Sequence, residues 1–177
     1  GDGVTHTVPV YEGFSIPHAI KKNYIAGRAI TAHMVNLLTA DGVAETGGKS
    51  AWAQIVRKMK EDLCFVSLDP TADKAKAAES SEIQKAYELP DGQTINCNAP
   101  RFMGPEALFN PGLIKEGDET PGMHTMAFGT CQECDLDIRK DLYSNVILSG
   151  GTTLYAGLPD RLEKELDAMC PQQNMVK

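Results

Sequence analysis

The stretch from Asp141 to Met169 limits the fold more than any other part of the chain. Its apolar run Val146–Leu148 has the length of a buried strand and is followed by the glycine-rich segment Ser149–Thr153. A segment of helical period comes next, with four apolar residues on one face: Leu158, Leu162, Leu166 and Met169. Strand, glycine turn and helix in this order allow backbone N–H groups to approach a phosphate. A tight turn without a ligand explains the same glycines, because glycine is enriched at turns of every kind.

A second glycine turn, Gly1-Asp2-Gly3, opens the chain, and residues 4–10 after it alternate as a strand does. Two such turns can close on a nucleotide from opposite sides. The sequence contains neither G-x-x-x-x-G-K-[ST] nor G-x-G-x-x-G. Spacing alone therefore predicts a phosphate site of unspecified type.

Composition excludes several classes of protein. The net charge of the 177 residues is −7, which disfavours nucleic acid and anionic membrane surfaces as partners. No apolar run approaches the roughly 18 residues that cross a bilayer, so we expect no membrane insertion. The five cysteines stand at scattered positions, which indicates reduced thiols in the cytoplasm. The pair Cys131 and Cys134 lacks the two further ligands that a zinc site requires.

The remaining elements alternate loosely between helix and strand, which favours an α/β fold. Two helices are predicted to begin near Ala26 and after an N-cap at Ser50, and Pro105 is predicted to begin a short third one. Asp91-Gly92 marks the turn of a hairpin. Two further segments are expected to pack as helical or apolar elements, namely residues 124–133 and 135–143 with Leu136, Ile138 and Leu142.

Four strings resemble actin, and they occur in the order that actin has: GDGVTHTVPVYEG, AYELPDGQ, CDLDIRKDLYSN and LSGGTTLYAG. The similarity extends from Gly1 to about residue 177. It implies a partial actin-like (ribonuclease H-like) ATPase fold of class α/β. Residues 1–25 and 118–177 would form one larger α/β lobe. Residues 26–117 would form a smaller, mainly helical lobe inserted into it, with the nucleotide in the cleft beneath both.

The chain is expected to be a fragment of the middle and later part of a divergent actin. It begins at Gly1 without a methionine and ends at residues 175–177, within a segment that we interpret as a strand. The resemblance implies that the cation-binding carboxylates and the water-orienting glutamine lie upstream of Gly1. We therefore expect no metal ligand in this chain, and we expect the chain alone not to hydrolyse ATP.

The resemblance also assigns site residues. His6 would help to position the hydrolytic water, while Arg57 and Glu61, which read by themselves as a surface ion pair, match a helix that holds base and ribose. Leu154 replaces a methionine that is usual in the family, which is a conservative change in volume. The implied nucleotide-binding residues are Gly1, Asp2, Gly3, Val4, Gly27, Arg57, Lys60, Glu61, Gly151, Thr152, Leu154 and Tyr155.

These similarities imply an ATP-binding, slowly ATP-hydrolysing subunit of a cytoskeletal filament in the cytoplasm. Its cofactors would be ATP or ADP with Mg²⁺ or Ca²⁺, and its partners other actin subunits and actin-binding proteins including myosin. Two surface loops depart from the family by extra length and charge, after Gly42 and between Pro111 and Gly122. Charge in a contact that buries apolar groups weakens association. The alternative is an actin-related, nucleotide-binding scaffold that does not polymerise.

Overall fold

The computed structural model describes residues 1–170 and Val176, and within them helices outnumber short strands. The strands are β1 (Thr5–Thr7), β2 (Val10–Tyr11), β3 (Phe14–Ser15), β4 (Lys21–Asn23), β5 (Lys85–Glu88) and β6 (Thr94–Cys97). The α-helices are α1 (Gly27–Ala40), α2 (Lys49–Leu63), α3 (Pro70–Glu79), α4 (Pro100–Glu106), α5 (Met123–Gln132), α6 (Leu136–Tyr143) and α7 (Leu158–Met169). The strand predicted at residues 175–177 lies outside the described residues, apart from Val176.

The described strands pair antiparallel, as β1 with β4, β2 with β3 and β5 with β6. The strand predicted at residues 4–10 is interrupted before Val10, since Pro9 has no N–H to give to a ladder. Glu12 and Gly13 form the turn between β2 and β3, with φ of 49° and 84°. The hairpin predicted around Asp91-Gly92 is confirmed as β5 and β6.

The strand predicted at Val146–Leu148 is wrong for the described structure, in which this segment pairs with no described strand. Ile147 is 88% exposed. A short apolar run becomes a strand only when a neighbour takes up its backbone hydrogen bonds, and none of the described strands pairs with it. The helix predicted after the glycine turn is confirmed as α7.

The helix predicted to begin near Ala26 is confirmed as α1, and its buried side chains include Ile30, Met34 and Leu38. The start predicted for α2 is wrong, because the helix begins at Lys49 and its N-cap is Gly48, not Ser50. Gly48 has a φ of 84°, and no side chain caps the free N–H groups of the first turn. The glycine's backbone conformation, which is closed to most residues, sets the entry of the chain into α2.

The helix predicted to start at Pro105 is wrong in position, because α4 begins at Pro100 and Pro105 lies in its last turn. Proline in a helix leaves the carbonyl four residues earlier without its bond. Here that carbonyl, on Arg101, accepts the N–H of Phe65 at 3.1 Å. A tertiary hydrogen bond therefore makes proline compatible with a helix at this position, and the local sequence gives no sign of that bond.

Helices α5 and α6 occupy the segments predicted for them, at 124–133 and 135–143. The packing role expected for Leu136 is wrong, since its side chain is 76% exposed. Tyr143 is buried and packs against the ring of Phe128, with the ring centres 6.3 Å apart. An aromatic residue thus anchors α6 where a leucine was expected to do so.

The core is formed mainly by α1, α2 and α7, with Trp52, Met34 and Leu158 among its fully buried side chains. A buried ion pair joins α7 to α4, because Arg161 donates to both carboxylate oxygens of Glu106 at 3.0 Å. These helices fall in the two different predicted lobes, whose boundaries remain a prediction. None of the described helices is long and apolar enough to cross a membrane.

Candidate functional site

Four separate parts of the chain surround one cleft of about 400 Å³. They are the N-terminal turn, the start of α1, the second half of α2 and the turn after Gly150. Most of the predicted site residues lie in its walls. The lining residues are Gly1, Asp2, Gly27, Arg57, Lys60, Glu61, Cys64, Gly151, Thr152, Leu154 and Tyr155.

The N-terminal turn is fixed to the first turn of α1. The N–H of Gly27 donates to the carbonyl of Gly1 at 3.0 Å, and the N–H of Arg28 donates to the carbonyl of Asp2 at 2.8 Å. These bonds satisfy two of the N–H groups that a helix leaves free at its start. The Arg28 guanidinium also donates to the Asp2 carboxylate at 2.9 Å, and this hydrogen bond lowers the pKa of Asp2.

The turn after Gly150 meets the same N-terminal turn from the opposite side. The Thr152 hydroxyl donates to the carbonyl of Gly1 at 3.0 Å. Gly150 has a φ of 105°, a region that side chains disfavour, and a Cβ there would lie 3.5 Å from the Gly1 nitrogen. The two glycine turns that the sequence places at its opposite ends are therefore in contact.

Helix α2 contributes charge to the cleft. Lys60 is 6% exposed and donates to the carbonyl of Gly27 at 2.9 Å and to the hydroxyl of Thr31 at 3.1 Å. Burial lowers the pKa of Lys60, since the charged form loses hydration. Arg57 and Glu61 form an exposed ion pair at 3.1 Å one turn apart on the same helix. The cleft thus presents both signs of charge to a ligand.

Gly27 allows these elements to approach one another closely. A Cβ on Gly27 would lie 3.2 Å from the Thr152 hydroxyl, 3.4 Å from the Lys60 ammonium and 3.5 Å from the Gly1 carbonyl oxygen. The distance to the Thr152 hydroxyl is tighter than most side-chain contacts, whereas the other two are ordinary van der Waals contacts. A larger residue at position 27 would therefore press first on the turn that carries Thr152. Gly27, which the resemblance to actin assigns to the site, therefore also has a steric reason to be glycine.

Cys64 and Thr31 were not identified from the sequence. Cys64 lies one helical turn after Lys60, so the helical spacing of α2 could have shown that it faces the same cleft. Burial raises the pKa of the Cys64 thiol, and its sulfur lies 3.3 Å from the sulfur of Met34. Burial likewise raises the pKa of Tyr155, which lines the same cleft. No sequence motif marks Thr31.

Three predicted residues lie outside this set. Gly3 and Val4 do not line the cleft, and His6 is an exposed residue of β1 paired with Lys22. His6 lines a neighbouring groove of about 460 Å³, which shares Gly1 and Thr152 with the cleft. The role of His6 in positioning water remains a prediction.

The chemistry of the two cavities differs. The larger groove is lined largely by apolar groups of β1, α5, α7 and the segment before Gly150. The smaller cleft contains a buried lysine, an arginine, two carboxylates and two glycine turns, which suit a ligand with phosphate and hydroxyl groups. Among the described residues, no group of three or more His, Cys, Asp or Glu side chains is placed to hold a metal ion.

The helices, small antiparallel sheets and polar cleft define an α/β protein with a site built on glycine turns. The family model for actin matches residues 1–177. The chain belongs to the actin family, and its α/β fold class and the resemblance found in its sequence are confirmed. Members of this family typically bind ATP or ADP together with a divalent cation.

Proposed function

We propose that the chain binds ATP or ADP in the cleft between its two glycine turns, as part of a slowly ATP-hydrolysing actin-like filament subunit. One observation supports this most strongly. The N-terminal turn, Gly27, the charged face of α2 and the turn of Gly151 and Thr152 line a single cavity, although up to 151 residues separate contacting partners.

Each wall has a chemical role in the proposal. Backbone N–H groups of the glycine turns at Gly1 and Gly151 face the phosphates, because glycine permits close approach of the backbone. The carboxylates of Asp2 and Glu61 accept hydrogen bonds from ribose hydroxyls. Lys60 and Arg57 donate to oxygen or nitrogen acceptors of the nucleotide. Gly27, Leu154 and Tyr155 flank the base, and Gly3 and Val4 belong to the same phosphate loop.

Hydrolysis makes demands beyond binding. In-line attack on the terminal phosphate needs an aligned water and donors facing the phosphate oxygens, and a divalent cation supplies charge neutralisation when bound. His6 is proposed to help align the water. The described residues form no cluster that fits a cation, so we derive no step through one. We expect the purified chain to bind nucleotide without turnover, measured as phosphate release at the rate of buffer alone.

The filament part of the proposal concerns other actin subunits as partners, actin-binding proteins such as myosin, and a place in the cytoplasmic cytoskeleton. Family membership supports it in general terms. Sedimentation of the protein with Mg²⁺ and ATP tests it. Recovery in the pellet supports a filament subunit, whereas recovery in the supernatant favours a nucleotide-binding scaffold.

Titration with a fluorescent ATP analogue tests binding at the cleft. Lys60→Met removes the buried ammonium, and we expect the dissociation constant to rise at least about tenfold, as for the loss of one charged hydrogen bond. Lys58→Met is the matched control, because Lys58 lies on α2 with an exposed side chain that does not line the cleft. Equal affinity of the two variants would contradict the proposed site.

A further inference from the structure

We infer that Thr31 is a positioning residue for the nucleotide site, because it holds the Lys60 ammonium in the orientation that leaves a donor free for the ligand. The inference rests on the proposed function. Thr31 lies in the second turn of α1, outside the residues that line the cleft. It therefore acts through Lys60 and not by touching the nucleotide.

Three polar groups form a closed triangle at this point. The Thr31 hydroxyl donates to the Gly27 carbonyl at 3.0 Å, and it accepts a hydrogen bond from Lys60 at 3.1 Å. Lys60 donates a second hydrogen bond to the Gly27 carbonyl at 2.9 Å. Each member is bonded to the other two, so the hydroxyl hydrogen has a defined direction, toward Gly27. The lone pairs of the Thr31 hydroxyl oxygen are then directed to the Lys60 ammonium.

The triangle determines what the ammonium can offer to a ligand. A lysine ammonium has three N–H donors, and two of them are used within the triangle. No described residue accepts the third, and Lys60 lines the cleft. Two fixed bonds prevent rotation about the terminal C–N bond. The remaining donor is therefore held ready for an oxygen acceptor of a phosphorylated nucleotide, with less ordering cost on binding.

A second threonine of α1, Thr39, serves as a comparison for Thr31. Thr39 makes the same bond to the carbonyl four residues earlier, from its hydroxyl to Val35 at 2.8 Å. Thr39 is exposed, and no described lysine donates to it. A helix-stabilising role alone would make the two threonines equivalent. Thr31 differs from Thr39 in being half-buried and in accepting the hydrogen bond of Lys60.

The test compares Thr31→Val, Thr31→Ser and Thr39→Val in the same chain. Valine keeps the shape of threonine and removes the hydroxyl, whereas serine keeps the hydroxyl. We expect Thr31→Val to raise the dissociation constant of a fluorescent ATP analogue about tenfold. Thr31→Ser and Thr39→Val should remain within about twofold of the unmodified chain. Thermal unfolding of all three verifies that they are folded.

A second measurement needs no nucleotide. The lost acceptor favoured the charged form of Lys60, so its removal should lower the pKa of Lys60 further in Thr31→Val and leave it unchanged in Thr39→Val. NMR titration of the lysine Cε resonance measures this. If the unmodified chain binds nucleotide and Thr31→Val binds it with equal affinity, the inference about Thr31 is overturned while the proposed function stands. Absence of binding in the unmodified chain would overturn the proposed function, and the inference with it.

Discussion

At the scale of single residues, the close contacts of the molecule are made where glycine is the only residue that fits. Gly157 has a φ of 80°, and a Cβ there would lie 2.4 Å from the carbonyl oxygen of Val66. The adjacent residue, Ala156, accepts the N–H of Val66 at 2.8 Å. Two requirements, a left-handed backbone and the absence of a side chain, therefore coincide at one position.

Gly157→Ala separates these requirements when it is compared with Gly42→Ala. Gly42 has a φ of 81° and nothing within 4 Å of an added Cβ, so its substitution carries only the backbone strain of about 1–2 kcal/mol. Gly157→Ala adds a steric clash that costs about 1–3 kcal/mol more. Urea denaturation measures both free energies of unfolding. Equal losses of stability in the two variants would show that the clash at Val66 relaxes without cost.

Some residues of the candidate site could be predicted from the sequence, and others could not. Resemblance identified Gly27 and Lys60, and the structure brings both to one cleft. It did not identify Thr31, because a threonine that bonds its own helix has no distinguishing pattern until Lys60 is seen beside it. His6 shows the opposite case, since its string matches the family while its side chain faces the neighbouring groove.

At the scale of elements, the buried pair of Arg161 and Glu106 connects α7 to α4. Arg161 also donates to Glu165 and to the carbonyl of Ser67, both at 2.6 Å, and its guanidinium lies 4.8 Å from the centre of the Phe109 ring. Burial alone would lower the pKa of Arg161, but its hydrogen bonds to Glu106 and Glu165 and the charges of these two carboxylates outweigh burial and raise it. The pair is charged, and the attraction between the two partners compensates each of them for the hydration that it loses on burial.

Arg161→Met should destabilise the chain by about 3–5 kcal/mol, because it leaves the Glu106 carboxylate buried without a partner. Lys76→Met is the control for an exposed pair, since Lys76 lies 3.8 Å from Asp73 with its side chain 62% exposed. We expect that control to change stability by less than about 1 kcal/mol. The double variant Arg161→Met with Glu106→Gln should recover part of the loss in thermal denaturation. Full additivity would contradict direct pairing.

Two elements could not be predicted from their local sequence. The start predicted for α1 near Ala26 lies within a residue of its observed start at Gly27. The segment Val146–Leu148 has the composition of a strand but pairs with no described strand, since strand formation depends on a partner elsewhere in the chain. Pro105 is tolerated in α4 because Phe65 takes up the carbonyl of Arg101. Both outcomes depend on tertiary contacts.

At the scale of the whole molecule, we expect stability in acid to depend on two buried histidines, His33 and His124. His33 and His124 each have a buried ring nitrogen without a hydrogen-bond partner among the described residues. Burial lowers the pKa of both. For His124, the charge of Glu165 opposes this lowering of the pKa, and the charge of Arg161 adds to it.

The sign of the pH dependence follows from these directions. The unfolded chain takes up protons near the ordinary histidine pKa of about 6.5, while the folded chain does so only at lower pH. The stability contributed by neutral His33 and His124 is therefore present above about pH 6.5 and is lost as pH falls toward the folded pKa values, by at most about 2.7 kcal/mol per pH unit for two groups.

Urea denaturation between pH 7.5 and 5 measures this loss, by the same linkage between proton uptake and stability. The double variant His33→Gln with His124→Gln should flatten the dependence in this range. His18→Gln is the control, because His18 is exposed. An unchanged slope in the double variant would show that other groups cause the acid sensitivity.

The proposed site requires that two glycine turns and one charged helix face enclose a single nucleotide. A crystal structure of the chain soaked or grown with a non-hydrolysable ATP analogue tests it most directly. We expect a nucleotide that contacts the Gly1-Asp2 turn, Lys60 or Glu61, and the turn at Gly151 and Thr152 together. A nucleotide bound in the apolar groove beside His6, or touching only one of these walls, would contradict it.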